Sequence, residues 1–143
     1  MNEPSMPRLL LTAFRWFDDA LRNSLVAQGL PSLTHSQSLV MSCLVSDGIR
    51  ISELARRLDM TRQGAQKAVV ALEAVGLVYT EADHRNSSAK IVYLTKLGLQ
   101  SIESAQEIFN AVEKELTNRI GEKSSHALRK ALEQDWSKPP TIR

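Results

Sequence analysis

Between Ile51 and Val75 the apolar positions recur with helical spacing in two short runs. Ile51, Leu54, Ala55 and Leu58 fall on one face of a 3.6-residue period, which predicts a short helix with one buried side. Asp59-Met60-Thr61 interrupts it, and the Thr61 hydroxyl is placed to cap a second helix by accepting from an otherwise orphaned backbone N–H. That helix is predicted from Arg62 to about Val75, with Gly76 ending it. Its apolar side is Ala65, Ala68, Val69 and Leu72, while Arg62, Gln63, Gln66 and Lys67 form two i, i+4 pairs on the other. Beyond it, Leu77-Val78-Tyr79-Thr80 reads as a strand, Glu81 to Ser88 as a polar turn, and Ala89 to Leu94 as a returning strand rich in β-branched and aromatic residues.

Longer stripes flank this segment. Leu10, Phe14, Phe17, Leu21 and Leu25 step at helical spacing until Gly29-Leu30-Pro31 stops them, and another helix is predicted from Ser36 to Ser46. Ile102, Ala105, Phe109, Val112 and Leu116 continue as far as Gly121, and a final helix from Ser125 to Trp136 adds Leu128, Ala131 and Leu132. For any single stripe, packing within one chain as a helical layer is the more frequent case. The predicted fold is mainly α with a small β wing, a winged helix-turn-helix core between N- and C-terminal helices. A length of 143 residues with 43% hydrophobic and 24% charged side chains suits one such domain.

Charge then separates the core from its flanks. The net charge is only +2, but residues 50–96 hold eight Lys/Arg against five Asp/Glu, whereas 1–49 hold three against four and 97–143 seven against seven. A positive excess confined to the winged-helix segment is the footprint of a nucleic-acid site, because phosphate neutralisation dominates affinity. Arg and Lys suit guanine O6/N7 and Gln suits adenine N6/N7, so Arg62, Gln63, Gln66 and Lys67 have the chemistry of major-groove readout. A merely solvated helix face would look the same in isolation; the hairpin tips the balance. Its tip, Asp83 to Ser88, carries Arg85 among short polar residues, which fits the narrow, negative minor groove. Thr61, Arg50 and Lys90, with Lys96 near them, are the candidates for phosphate contacts that fix position without reading sequence.

In four places these residues resemble one family, in the right order and spacing. Leu33-Thr34-His35-Ser36-Gln37 is similar to the Leu-Thr-x-x-Gln that opens the second helix of MarR-family regulators, and Thr34 and Gln37 also have capping-box spacing. The run from Ile51 to Leu72-Glu73-Ala74-Val75-Gly76-Leu77-Val78, the Asp83-x-Arg85 of the wing and the junction Val92-Tyr93-Leu94-Thr95-Lys96-Leu97-Gly98 complete the likeness. The resemblance covers nearly the whole chain. It implies a homodimer binding double-stranded DNA at a pseudo-palindromic operator, with Arg62, Gln63, Gln66 and Lys67 in the major groove and Arg85 in the minor groove. It also implies dimerisation helices over 7–30 and 96–136, a DNA-binding core over 34–95 and a tail over 137–143. Repression, relieved by a small aromatic or phenolic acid bound between dimer helices and winged helix, is the common family outcome. Phe14, Trp16, Phe17, Arg22 and Met41 are the candidates to line such a cleft, and core packing accounts for them as well. Two departures stand out: Val70-Ala71 where many members carry Asp-Arg, and Gly64 inside the recognition helix, which costs up to about 1 kcal/mol relative to Ala.

Catalytic and cofactor chemistry is not expected. Asp18 and Asp19 are adjacent and point about 100° apart on a helix, a poor acid–base pair. His35, His84 and His126 are dispersed, without metal-site spacing, and no phosphate loop or nucleophile elbow occurs. The lone Cys43 excludes an intramolecular disulfide and, on an apolar helix face, reads as a structural cysteine ahead of a redox sensor. With no signal peptide and no apolar span near 20 residues, a cytoplasmic, nucleoid-associated protein is expected. The competing class is a winged-helix module that binds protein through Val70-Ala71 and the wing, without specific DNA binding.

Overall fold

The structure, a computed structural model, describes residues 2–44 and 47–143. In chain order the elements are α1 (Met6–Ala27), α2 (His35–Cys43), β1 (Ile49–Arg50), α3 (Ile51–Arg57), α4 (Arg62–Ala74), β2 (Val78–Asp83), β3 (Asn86–Leu94), α5 (Lys96–Ile120) and α6 (Glu122–Glu133). The strands form one antiparallel sheet in the order β1-β3-β2. Two compact units result, Met1–Phe109 and Asn110–Arg143.

Local chemistry sets the helix boundaries in the first unit. Thr34 and Gln37 form the predicted capping box: the Gln37 N–H donates to Thr34 Oγ1 and the Thr34 N–H donates to Gln37 Oε1. The α2 helix ends at Cys43, with Leu44 already extended; its predicted end at Ser46 lies outside the described residues. Where α4 stops, Gly76 takes φ +79°, and the N–H groups of Leu77 and Gly76 donate to the carbonyls of Leu72 and Glu73. The α3–α4 turn uses the same device with Asp59 at φ +50°: the Met60 N–H donates to Ala55 and the Asp59 N–H to Arg56. Asp is one of the few residues with a side chain that accepts this conformation readily.

The core lies where the sequence periods point. Leu54, Leu72, Leu77, Val40, Val69 and Val92 are fully buried, drawn from α2, α3, α4, the sheet and the residue before it. At the wing's exit Thr95 ties two elements together, its hydroxyl donating to the Gly76 carbonyl (2.5 Å) and accepting from the Gly98 N–H (3.0 Å). A Cβ on Gly98 would lie 2.0 Å from the Leu77 carbonyl oxygen, so α5 starts this close to the core only with glycine there.

Two expectations need correction, and one strand was not foreseen. The stretch Glu81 to Ser88 is not a turn: β2 continues to Asp83 and β3 begins at Asn86, leaving His84 and Arg85 as the connection. Polar composition there reports exposure, not loss of backbone pairing. Ile49–Arg50 is a third strand, paired with Val92 and Ile91, and two residues are too few to show a period. The last helix runs from Glu122 to Glu133 instead of Ser125 to Trp136. Gly121, at φ +91°, lets the chain turn at once, and the Trp136 indole N–H donates to the Ala131 carbonyl, folding the residue back on the helix end. In this second unit the end of α5 and α6 form a helical hairpin, joined by Thr117–Ser125 (2.8 Å) and by an Arg129–Glu113 ion pair.

Candidate nucleic-acid interface

The open face of α4 is built from its start. The Thr61 hydroxyl accepts from the Gly64 N–H at 2.9 Å, capping the helix as expected, and remains exposed with its own proton available to a phosphate. Arg62, Gln63 and Lys67 are exposed and Gln66 is half-buried, while Ala65, Ala68, Val69 and Leu72 are buried on the opposite side. None of the four polar side chains has a hydrogen-bond or ion-pair partner among the described residues. Their donors and acceptors are therefore unspent. Gly64 gains a local reason: an added Cβ would come within 3.0 Å of the capping Thr61 oxygen.

The wing tip is held by a clasp that the sequence reading missed. Asp83 Oδ1 accepts from the Arg85 backbone N–H at 2.9 Å, an Asx turn that closes a connection in which neither residue has positive φ. A register shift between Ala82 and Asp83 absorbs the mismatch in twist. The other carboxylate oxygen pairs with the Arg50 guanidinium, which reaches across from the β1–α3 junction. The Arg85 backbone bond and the Arg50 guanidinium hold the Asp83 carboxyl below the usual carboxylate range, against the opposing effect of burial. Arg50, expected at phosphate, is thus committed to Asp83 and orients the loop that carries Arg85. The Arg85 and Lys90 side chains are exposed. The Asp83-x-Arg85 spacing was the available signal, since an Asp two residues before a turn N–H is the Asx signature.

On α3, Glu53 bonds both Arg56 (2.5 Å) and Arg57 (3.0 Å), and these bonds lower its carboxyl to about 2. Arg56 is raised in turn by the Glu53 bond. On the wing's other face, directly opposed Tyr79 and Tyr93 stack with centroids 5.3 Å apart.

A cavity of about 420 Å³ opens between α1, α2 and the first half of α5. It gathers Phe14, Phe17 and Met41 of the expected cleft, and Phe109 joins them from α5. Trp16 and Arg22 do not line it. Trp16 stands edge-on to Phe17 at 5.1 Å, and Arg22 pairs with Asp19 (2.7 Å) and Asp18 (3.4 Å). Asp18, passed over as a poor catalytic residue, is buried in the wall. Cys43 is half-buried against the core. Among the described residues no cluster suited to a metal ion occurs, and no helix is long and apolar enough to cross a membrane.

Known proteins agree with this architecture. Residues 32–86 match the MarR family. Among curated proteins none matches the sequence significantly. Of the solved structures, MarR superposes with a TM-score of 0.75 at 21% identity over 90% of this chain and 93% of that one. The MepR–DNA complex of Staphylococcus aureus gives 0.69 at 20% identity, over 91% and 95%. YusO of Bacillus subtilis gives 0.69 at 18% identity, over 92% and 100%. At these identities the likeness establishes the fold. Over residues 32–86, the winged-helix segment, the chain is similar to the MarR family, and its helices and three-stranded sheet share the fold of MarR.

Proposed function

We propose that this chain is a dimeric, sequence-specific DNA-binding transcription regulator, acting as a repressor at a pseudo-palindromic operator and released by a small molecule. The observation that carries the reading is the unpartnered face of α4 beside a clasped wing tip that presents Arg85. Arg62, Gln63, Gln66 and Lys67 supply the groups that distinguish base edges in the major groove, and Arg85 suits the minor groove next to it. MepR, of the same fold, has been solved bound to DNA.

Dimerisation is supported by apolar surface that the chain does not cover. The α6 helix has no buried residue, leaving Leu128 and Leu132 40% and 50% exposed, and Leu9 and Leu11 of α1 are exposed too. Helices over 7–30 and 96–136 then pair two copies, setting the recognition helices about 34 to 36 Å apart to face successive major grooves. The cavity beside α1 gives an effector somewhere to act on that separation.

The test is fluorescence anisotropy with a palindromic duplex from the protein's own promoter. Affinity falls steeply as salt rises, and the Arg85→Ala and Lys67→Ala variants bind more weakly at every salt concentration. A flat salt profile with both variants unchanged would favour a protein-interaction module using the exposed Val70 instead.

A further inference from the structure

The wall of the α1–α2–α5 cavity is chemically one-sided. Phe14, Phe17 and Phe109 give it aromatic surface, while its one carboxylate, Asp18, has a side chain only 8% exposed. Ser38 and Ser101 also line it, and their hydroxyl oxygens are buried beside it without a hydrogen-bond partner among the described residues. Among the described residues no lysine or arginine lines it. The nearest cation, Arg22, contacts Asp18 but lies off the wall and is shared with Asp19, so the three together carry a net −1. His35, whose Nδ1 is 3.8 Å from Asp18 Oδ2, is the remaining ionisable group facing the space.

We infer that this cavity binds an aromatic cation, its ring among the phenylalanines and its ammonium group toward Asp18 and the Ser38 and Ser101 hydroxyls. The family resemblance suggests aromatic acids, and the wall argues against them. A carboxylate entering here gives up its hydration, meets a like charge and finds no guanidinium or ammonium to replace the lost water. An ammonium gains the attraction of Asp18 and of the ring faces, and its N–H groups satisfy hydroxyls that otherwise stay unmatched in a buried site. Asp18 lies in register with Phe14, Leu21 and Leu25 on α1, so its carboxylate is held within the apolar stripe that builds the wall. The inference rests on the proposed small-molecule regulation only for its consequence; binding itself is independent of DNA.

The experiment uses two ligands with the same ring and opposite charge, 2-naphthylmethylammonium and 2-naphthoate. Calorimetry on the full chain at pH 8, above the ordinary imidazole range, compares them. The expected result is at least about tenfold tighter binding of the ammonium, with that preference abolished in Asp18→Asn and the ammonium weakened in Ser101→Ala, which leaves the ion pair intact. The wild-type preference needs no variant, so a poorly folding Asp18→Asn does not rescue or sink it. Naphthoate binding as well as the ammonium, or neither binding, overturns the inference. Operator binding measured in parallel separates the two claims: a protein that binds DNA and ignores both ligands keeps the regulator reading, and one that binds the ammonium but no DNA keeps only this one.

Discussion

The winged helix and the α6 helix use apolar residues in opposite ways. In the winged helix the stripes of α3 and α4 close on each other and on the sheet, and Leu54, Leu72, Leu77 and Val92 see no solvent. In α6 the same spacing leaves Leu128 and Leu132 open, with no residue buried. Equal periodicity therefore produces a self-sufficient core in one region and an unfinished surface in the other. The first region is a closed core; the second is the surface proposed above to take a second copy.

The sharpest way to break this contrast is to cut a side chain from each region. Leu72→Ala should lower unfolding stability by about 2–5 kcal/mol in urea titrations, since it leaves a cavity in a closed core. Gly98→Ala should cost about 1–3 kcal/mol, the usual range for overpacking, because its Cβ would meet the Leu77 carbonyl oxygen and force α5 away. Asp83→Asn tests the wing without touching the core. It removes a negative charge from a loop proposed to face DNA, so electrostatics alone predicts tighter DNA binding, whereas the clasp predicts weaker binding and faster tryptic cleavage at Arg85 in the free protein. The pH sense follows from the lowered carboxyl. Because the folded group titrates below the unfolded one, its contribution is complete above the ordinary Asp range and disappears as pH falls through and beneath it. Leu132→Lys should have the smallest effect on unfolding, within about 0.5 kcal/mol for dilute protein, since the side chain is already exposed. Sedimentation equilibrium should nevertheless show the dimer weakened, and a dimer untouched by this change would place the interface elsewhere.

What the sequence disclosed follows the same division. The α3 and α4 helices, the Thr61 cap, the Thr34–Gln37 box and the Gly76 stop were legible because each depends on residues within a few positions of one another. The two-residue β1 and the Arg50–Asp83 clasp were not, since they depend on partners 33 to 43 positions away, as between Arg50 and Ile91 (41) or Ile49 and Val92 (43); the full reach of the hairpin was hidden instead by the polar residues of its exposed end. The cavity was half legible. Phe14, Phe17 and Met41 were marked by spacing and type, but which charged side chain faced inward depended on how α1 rotates against α2 and α5, and Asp18 took the place expected of Arg22. A polar residue in register with an apolar stripe was the clue available.

The most direct measurement is affinity cleavage from the wing. An iron–EDTA group attached to Arg85→Cys, in a Cys43→Ser background, should cut an operator duplex in two clusters symmetric about its dyad, with the cuts confined to the minor groove. Scattered cleavage, or a single cluster from a bound monomer, would contradict the assignment of α4 to the major groove and of Arg85 to the minor groove beside it.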